Sequence, residues 1–148
     1  MKDTMRGARQ AVVACGQMDS PIGEIWLAVW EGALLAVQIG GTEEQLRATV
    51  ARRRKGPVMA DPAAVEPAAR ALREWFQAPE RGCDVPVDLD GLSPFARSVL
   101  DALRDIPAGQ TCTYGELARK VGRPGAARAV GQVMNRNPLP LVVPCHRV

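Results

Sequence analysis

Three apolar, β-rich runs, Ala11–Met18, Gly23–Trp30 and Ala33–Ile39, are separated by the turn-forming stretches Asp19-Ser20-Pro21-Ile22 and Glu31-Gly32. Connections this short make neighbouring strands antiparallel, so the pattern predicts a meander. The periodicity then changes. Glu43–Lys55 has helical spacing and closes on the basic run Arg52-Arg53-Arg54-Lys55. Cations at a helix C-terminus complement the macrodipole, so that run needs no nucleic acid to explain it. A second helix is predicted from Pro62 to Gln77, with Asp61 as a cap and Pro67 forcing a kink or a late start. Val85–Leu89 reads as a short strand, and the Asp90-Gly91 turn marks a boundary.

The rest of the chain is helical in pattern. Ser93-Pro94 is an N-cap followed by proline at the first helical position, and Phe95, Val99, Leu100 and Leu103 form an apolar stripe. Ile106-Pro107-Ala108-Gly109 ends that helix. Thr113 and Glu116 have capping-box spacing and open a helix through Val121. Gly122-Arg123-Pro124-Gly125 makes a tight turn, and Ala126–Asn135 reads as a further helix. Helix, glycine-containing turn, helix is the pattern of a helix-turn-helix, although many bundles share it without touching DNA. Asn137-Pro138-Leu139-Pro140 breaks the last helix, and Leu141-Val142-Val143 leads as a buried extended run into Pro144-Cys145-His146-Arg147-Val148. Residues 10–90 and 91–148 are therefore expected to form two domains.

Composition narrows the function classes. The chain has 148 residues, 47% hydrophobic and 24% charged, which fits globular packing and excludes disordered, collagen-like and coiled-coil architectures. No run approaches the roughly 18 apolar residues of a membrane span, and MKDTMRGARQ lacks a signal-peptide apolar core. A cytoplasmic protein with reduced thiols and no membrane partner is expected. Charge is uneven: residues 1–96 hold 11 Lys/Arg against 13 Asp/Glu, whereas residues 97–148 hold 8 against 3. A surface facing a polyanion and a basic solvated face explain that asymmetry equally well.

Four cysteines, at positions 15, 83, 112 and 145, accompany a single histidine, His146, and no C-x-x-C pair is present. A histidine-based metal site and the common zinc-ribbon and thioredoxin-like spacings are thus excluded, and no metal or cofactor is expected. Cys145 and His146 are adjacent. A thiol near its reference pKa of about 8.5 needs a base or positive surroundings to react at neutral pH, and His146 and Arg147 supply candidates for both. In extended backbone, neighbouring side chains point to opposite faces, so a bridging water or a local turn is required between the two. On its own, the dipeptide is equally a buried cysteine beside a structural histidine.

The wider string Pro144-Cys145-His146-Arg147-Val148, with Asn137-Pro138 upstream and Ala126-Ala127-Arg128-Ala129-Val130-Gly131 before that, resembles the O6-alkylguanine-DNA alkyltransferases. Ile106-Pro107-x-Gly109 followed by Thr113-Tyr114-Gly115 fits the same family, and Ser20-Pro21-Ile22-Gly23, Trp75-Phe76 and Val85-Pro86-Val87-Asp88-Leu89 match it more loosely. The resemblance implies an α/β (α+β) protein. Its N-terminal antiparallel-sheet domain would be ribonuclease H-like and its C-terminal helical domain of the winged-helix or helix-turn-helix type. The implied activity is one-use repair of duplex DNA carrying alkylated guanine, with O4-alkylthymine as a further substrate, by a monomer. Cys145 is then the alkyl acceptor and His146 its base through a water. Tyr114 donates towards guanine N3, and Arg128 fills the gap left by the flipped nucleotide. Asn137 ties the recognition helix to the acceptor segment. Met134, Pro140 and Val148 line the pocket, and the small residues Ala126, Ala127 and Gly131 let the helix approach the minor groove.

Plainer readings stand beside these: close helix packing for the small residues, a half-buried core tyrosine for Tyr114, a surface cation for Arg128. Cys15, Cys83 and Cys112 match no catalytic position of the family. The family often shows Gly-Thr-x-Phe-Gln where this chain has Gly91-Leu92-Ser93-Pro94-Phe95. It also continues past the Cys-His-Arg-Val string into a glycine-rich loop and a helix, with a glutamate that orients the histidine. The chain is accordingly expected to lack a C-terminal segment, and a non-catalytic sensor of alkylated bases or another DNA-binding protein is the rival function.

Overall fold

A computed structural model describes residues 12–144, which contain four strands and five α-helices. β1 (Val13–Ser20), β2 (Gly23–Trp30) and β3 (Ala33–Ile39) form the predicted antiparallel meander. The first hairpin turns at Pro21-Ile22, where the Ser20 hydroxyl donates to the Gly23 carbonyl at 2.6 Å and accepts from the Ile22 N–H at 3.2 Å. The second turns on Glu31 and Gly32, both at positive φ (48° and 80°), the backbone of a two-residue hairpin turn that follows the twist of its strands.

α1 (Glu43–Ala51) is capped by a reciprocal Thr42–Gln45 box and leads to β4 (Val58–Ala60). β4 pairs parallel to β1, so the sheet is mixed, in the order β3-β2-β1-β4. This fourth strand is absent from the sequence expectation because three residues carry too little alternation to be seen. α2 (Pro62–Gln77) starts at the expected Asp61 cap and runs through Pro67 without a late start. Pro67 is exposed, so its ring faces solvent while Val65, Ala68, Ala69 and Leu72 are buried.

Two segments differ from expectation. The helix over 43–55 stops at Ala51, and its basic run does not serve the helix end. Arg53 instead reaches back into the fold, with its side chain only 5% exposed. It donates to the carbonyls of Leu35 at 2.5 Å and Asp90 at 3.1 Å, and also to the Asp88 carbonyl. Arg54 pairs with the Asp88 carboxylate at 2.5 Å and lies 3.6 Å over the Trp30 ring. Localised backbone and carboxylate acceptors outcompete a diffuse helix dipole for a guanidinium. Val85–Leu89 is not a strand but makes one bridge, Val87 to Leu34, with Leu34 N–H donating to the Pro86 carbonyl at 2.8 Å. Pro86 cannot donate to a ladder, which limits pairing to that bridge.

α3 (Pro94–Arg104), α4 (Tyr114–Lys120) and α5 (Ala127–Asn135) follow within a residue or two of the expected bounds. One apolar cluster runs from the sheet through α2 to these helices, joining Leu27 and Leu34 to Leu72, Leu100, Leu117 and Val130. A second lies under α1, around Leu35, Leu46 and Val50. The first cluster therefore crosses the Asp90-Gly91 turn. Among the described residues no helix is long and apolar enough to cross a membrane.

Candidate nucleic-acid interface and acceptor segment

Local sequence sets each part of this region. Thr113 accepts from Glu116 N–H at 3.0 Å, and the Glu116 carboxylate accepts from Thr113 N–H at 2.9 Å. That box fixes the first turn of α4 and places Tyr114 at its first helical position. Gly122 and Gly125 have φ of 76° and 90°, which lets the chain reverse between α4 and α5. α5 turns Val130 and Met134 inward and leaves Arg128 exposed, with Ala126, Ala127 and Ala129 half-buried beside it.

Arg47, Arg53, Arg54, Arg73 and Arg97 each enter a salt bridge, whereas among the described residues Arg119, Lys120, Arg123, Arg128 and Arg136 enter none. Among the described residues Arg52, Lys55, Arg70, Arg81 and Arg104 likewise enter none, so half of the ten unpaired cations lie on α4, α5 or their flanks, where no carboxylate competes with a phosphate for them. Composition alone could not make this distinction, since paired and unpaired arginines count alike.

Past α5 the chain makes a clasp. Asn137 Oδ1 accepts from Leu139 N–H at 2.9 Å, and its Nδ2 donates to the Val143 carbonyl at 3.2 Å. Val143 N–H donates to the Leu139 carbonyl at 2.8 Å. The expected extended run Leu141-Val142-Val143 is therefore a turn, with Leu141 at φ 75°. Its apolar composition signals the burial of Val142 and Val143 correctly, but the direction is set by Asn137. Val37 N–H, on the outer edge of β3, donates to the Pro138 carbonyl at 2.8 Å, tying this turn to the sheet. Sequence reasoning missed that bond, and its only trace is the proline pair that leaves free carbonyls.

Tyr114 is 42% exposed and sits beside Gly131 of α5. Met134 is 8% exposed and belongs to the core, and Pro140 is half-buried in the turn. Cys145, His146 and Val148, together with Arg147, lie outside the described residues.

The three described cysteines are all held above the ordinary thiol value. Burial pushes Cys83 up to about 11, with Asp84 adding to the effect and Arg104 opposing it. Cys83 lines a cavity of about 480 Å³ with Trp75, Arg104, Leu141, Val142 and Pro144. Cys15 is raised by burial and by Glu43, whose carboxylate accepts from its thiol at 3.6 Å. Cys112 is raised by burial and by Glu116. Among the described residues, no group of three or more His, Cys, Asp or Glu is placed to hold a metal ion.

Comparison with known proteins agrees with this architecture. Residues 94–148 match the family described as 6-O-methylguanine DNA methyltransferase, DNA binding domain. The chain is 36% identical over 130 residues to a methylated-DNA–protein-cysteine methyltransferase of Methanosarcina acetivorans, covering 84% of this chain and 83% of that one. A variant of the Mycobacterium tuberculosis O6-methylguanine methyltransferase superposes with a TM-score of 0.76 at 37% identity, over 92% of this chain and 78% of the other. The M. tuberculosis OGT in complex with DNA gives a TM-score of 0.69 at 33% identity, with the same coverage. Similarity at this level extends through sheet and helices alike, and the chain belongs to the methylated-DNA–protein-cysteine methyltransferase family.

Proposed function

We propose that this protein repairs duplex DNA by transferring an alkyl group irreversibly from O6 of guanine to Cys145. The observation that carries this reading is the Asn137 clasp. It joins the last turn of α5, on the face with unpaired cations, to the residues immediately before Cys145. A DNA-facing helix and the acceptor segment thereby share one hydrogen-bonded unit. Cys145, in the Pro-Cys-His-Arg-Val string shared with the family, is the candidate nucleophile, and burial raises the thiols of Cys15, Cys83 and Cys112.

The target oxygen is shielded inside a duplex, so the nucleotide must leave the stack, at a cost of a few kcal/mol. Arg128, exposed on α5, fills the vacancy, and Ala126 and Ala127 allow the helix to approach the minor groove. His146 takes the Cys145 proton through a water. The sulfur electron pair attacks the alkyl carbon, a C–S bond forms and the C–O6 bond breaks. The departing electron pair returns to guanine, which regains a proton at N1, with Tyr114 donating towards N3 as the base leaves. Met134, Pro140 and Val148 line the pocket. The sulfur remains alkylated, so each molecule acts once, as a monomer in the cytoplasm. O4-alkylthymine presents the same alkyl carbon on a smaller base.

The test is intact-mass measurement after incubation with a duplex containing O6-methylguanine, with Cys145→Ala alongside. Gain of one methylene per chain by the unsubstituted protein alone supports transfer. Lesion binding without mass change would overturn it and leave a non-catalytic sensor.

A further inference from the structure

Gly131 lies at the centre of α5 in ordinary helical backbone, where glycine is less favourable than alanine. No positive φ demands it there. Its neighbourhood supplies a different reason. A methyl group placed at Gly131 would stand 3.2 Å from Cε2 and 3.5 Å from Cδ2 of Tyr114. Those contacts, with Cζ at 3.9 Å, are the nearest such a methyl would meet, so the only crowding is with the tyrosine ring. Gly115, beside Tyr114 on α4, shows no comparable crowding, with its nearest atom at 3.9 Å.

The geometry points to Gly131 as a positioning residue for Tyr114, a seat that lets the phenol ring lie against the backbone of α5. This rests on the alkyl-transfer reading, in which Tyr114 faces the departing base. It differs from the expectation that Gly131 serves close approach to DNA. The ring lies against α5 at Gly131 and the Thr113–Glu116 cap fixes the helical turn that carries it, while 42% of the residue stays exposed. An alanine at 131 would lift the ring edge by a few tenths of an ångström and turn the hydroxyl from its line. A misplacement of about 1 Å can cost about a hundredfold in rate, so one of a few tenths should cost about three- to fivefold.

A double-mutant cycle decides between the two roles. Single-turnover transfer from an O6-methylguanine duplex is measured for the unsubstituted chain, Gly131→Ala, Tyr114→Ala and the double variant. The seat predicts a loss of about three- to fivefold for Gly131→Ala alone. In the Tyr114→Ala background, where no ring remains to be displaced, it predicts a further change of less than about twofold. Tyr114 is the only tyrosine in the chain, so 3-fluorotyrosine labelling gives one ¹⁹F resonance, expected to shift in Gly131→Ala. Equal losses in both backgrounds, or weakened affinity for undamaged duplex with an unmoved resonance, would assign Gly131 to the DNA face and overturn the seat. Absence of transfer by the unsubstituted chain would overturn the alkyl-transfer reading instead, and the ¹⁹F shift would still decide the seat.

Discussion

Replacing Asn137 by alanine tests whether the clasp organises the acceptor segment. The carboxamide makes two hydrogen bonds, accepting from Leu139 N–H and donating to the Val143 carbonyl. Leu139 and Val143 are both fully buried, so their backbone groups cannot turn to water for replacement partners. Each lost bond is worth about 0.5–1.5 kcal/mol net, and each group left unsatisfied costs about 1–3 kcal/mol. Allowing for relaxation, about 2–4 kcal/mol of stability should be lost, lowering Tm by about 2–4 °C per kcal/mol in a chain of this size. Urea unfolding measures the first quantity, and intact-mass transfer kinetics measure the effect on the acceptor. Asn137→Asp separates the two bonds. It retains the acceptor for Leu139 N–H but sets an anionic oxygen against the Val143 carbonyl. The folded state then favours the protonated acid, which alone can donate, and its pKa is raised above the unfolded value. That variant should be destabilised at neutral pH and should recover as pH falls through the raised folded value. A change below about 0.5 kcal/mol in Asn137→Ala, with transfer within twofold of the parent, would refute the clasp.

Three further outcomes follow from the same geometry. Asp88→Ala strips Arg53 and the half-buried Arg54 of their shared buried carboxylate and should cost about 2–4 kcal/mol in urea unfolding, although three carbonyls still hold Arg53. A neutral effect would show that those carbonyls suffice. If Arg119, Lys120, Arg123, Arg128 and Arg136 face phosphates, each alanine substitution should lower the slope of log K against log[salt] for duplex binding by about 0.9, while Arg73→Ala should leave the slope unchanged. At pH 8 a thiol with a pKa of about 11 is only about one part in a thousand thiolate, so iodoacetamide should label Cys83 far more slowly than an ordinary surface cysteine. Rapid labelling at that pH would contradict its burial.

Glu116 supplies a pH test of the cap that carries Tyr114. Its carboxyl is held below the usual value of 4.5, first by the Thr113 N–H hydrogen bond. The cap's contribution is therefore complete above the unfolded pKa and is lost as pH falls through the lower folded one. Glu116→Gln retains the box geometry and should remove this acid dependence from the fluorotyrosine signal. An identical acid response in both proteins would show that another group controls the α4 terminus.

The elements that were legible in the sequence are those whose determinants are local. The caps at Asp61, Ser93 and Thr113 and the positive-φ turn at Glu31-Gly32 name their own positions, and the structure places them there. Arg53 and Arg54 were misassigned because their partners, Leu35 and Asp88, are distant in sequence and partly backbone carbonyls, which no side-chain pattern records. Leu141-Val142-Val143 has the composition of a strand, and only the reach of Asn137 across six residues makes it a turn. The site residues divide in the same way. The helices that carry Tyr114 and Arg128 could be placed from their local signals, whereas the contact of Tyr114 with Gly131 depends on how α4 packs on α5.

An irregularity in β3 explains how the sheet bears on the acceptor segment. Val29 pairs with Leu34 but Ala28 pairs with Ala36, so Leu35 is an extra residue, a bulge. In an unbroken strand, outward backbone groups alternate, and Leu34 and Val37 would face opposite edges. The bulge shifts the phase by one. Leu34 can therefore bond Pro86 and Asp88 while Val37, three residues on, bonds Pro138 on the same outer edge. It also frees the Leu35 carbonyl, which Arg53 occupies at 2.5 Å. A sheet edge that would otherwise invite pairing with another chain is thus covered from within. Its three outward contacts fall on the linker before α3 and on the turn after α5. The N-terminal sheet consequently holds both ends of the helical unit, and the bond from Val37 meets it at the residue adjoining Asn137.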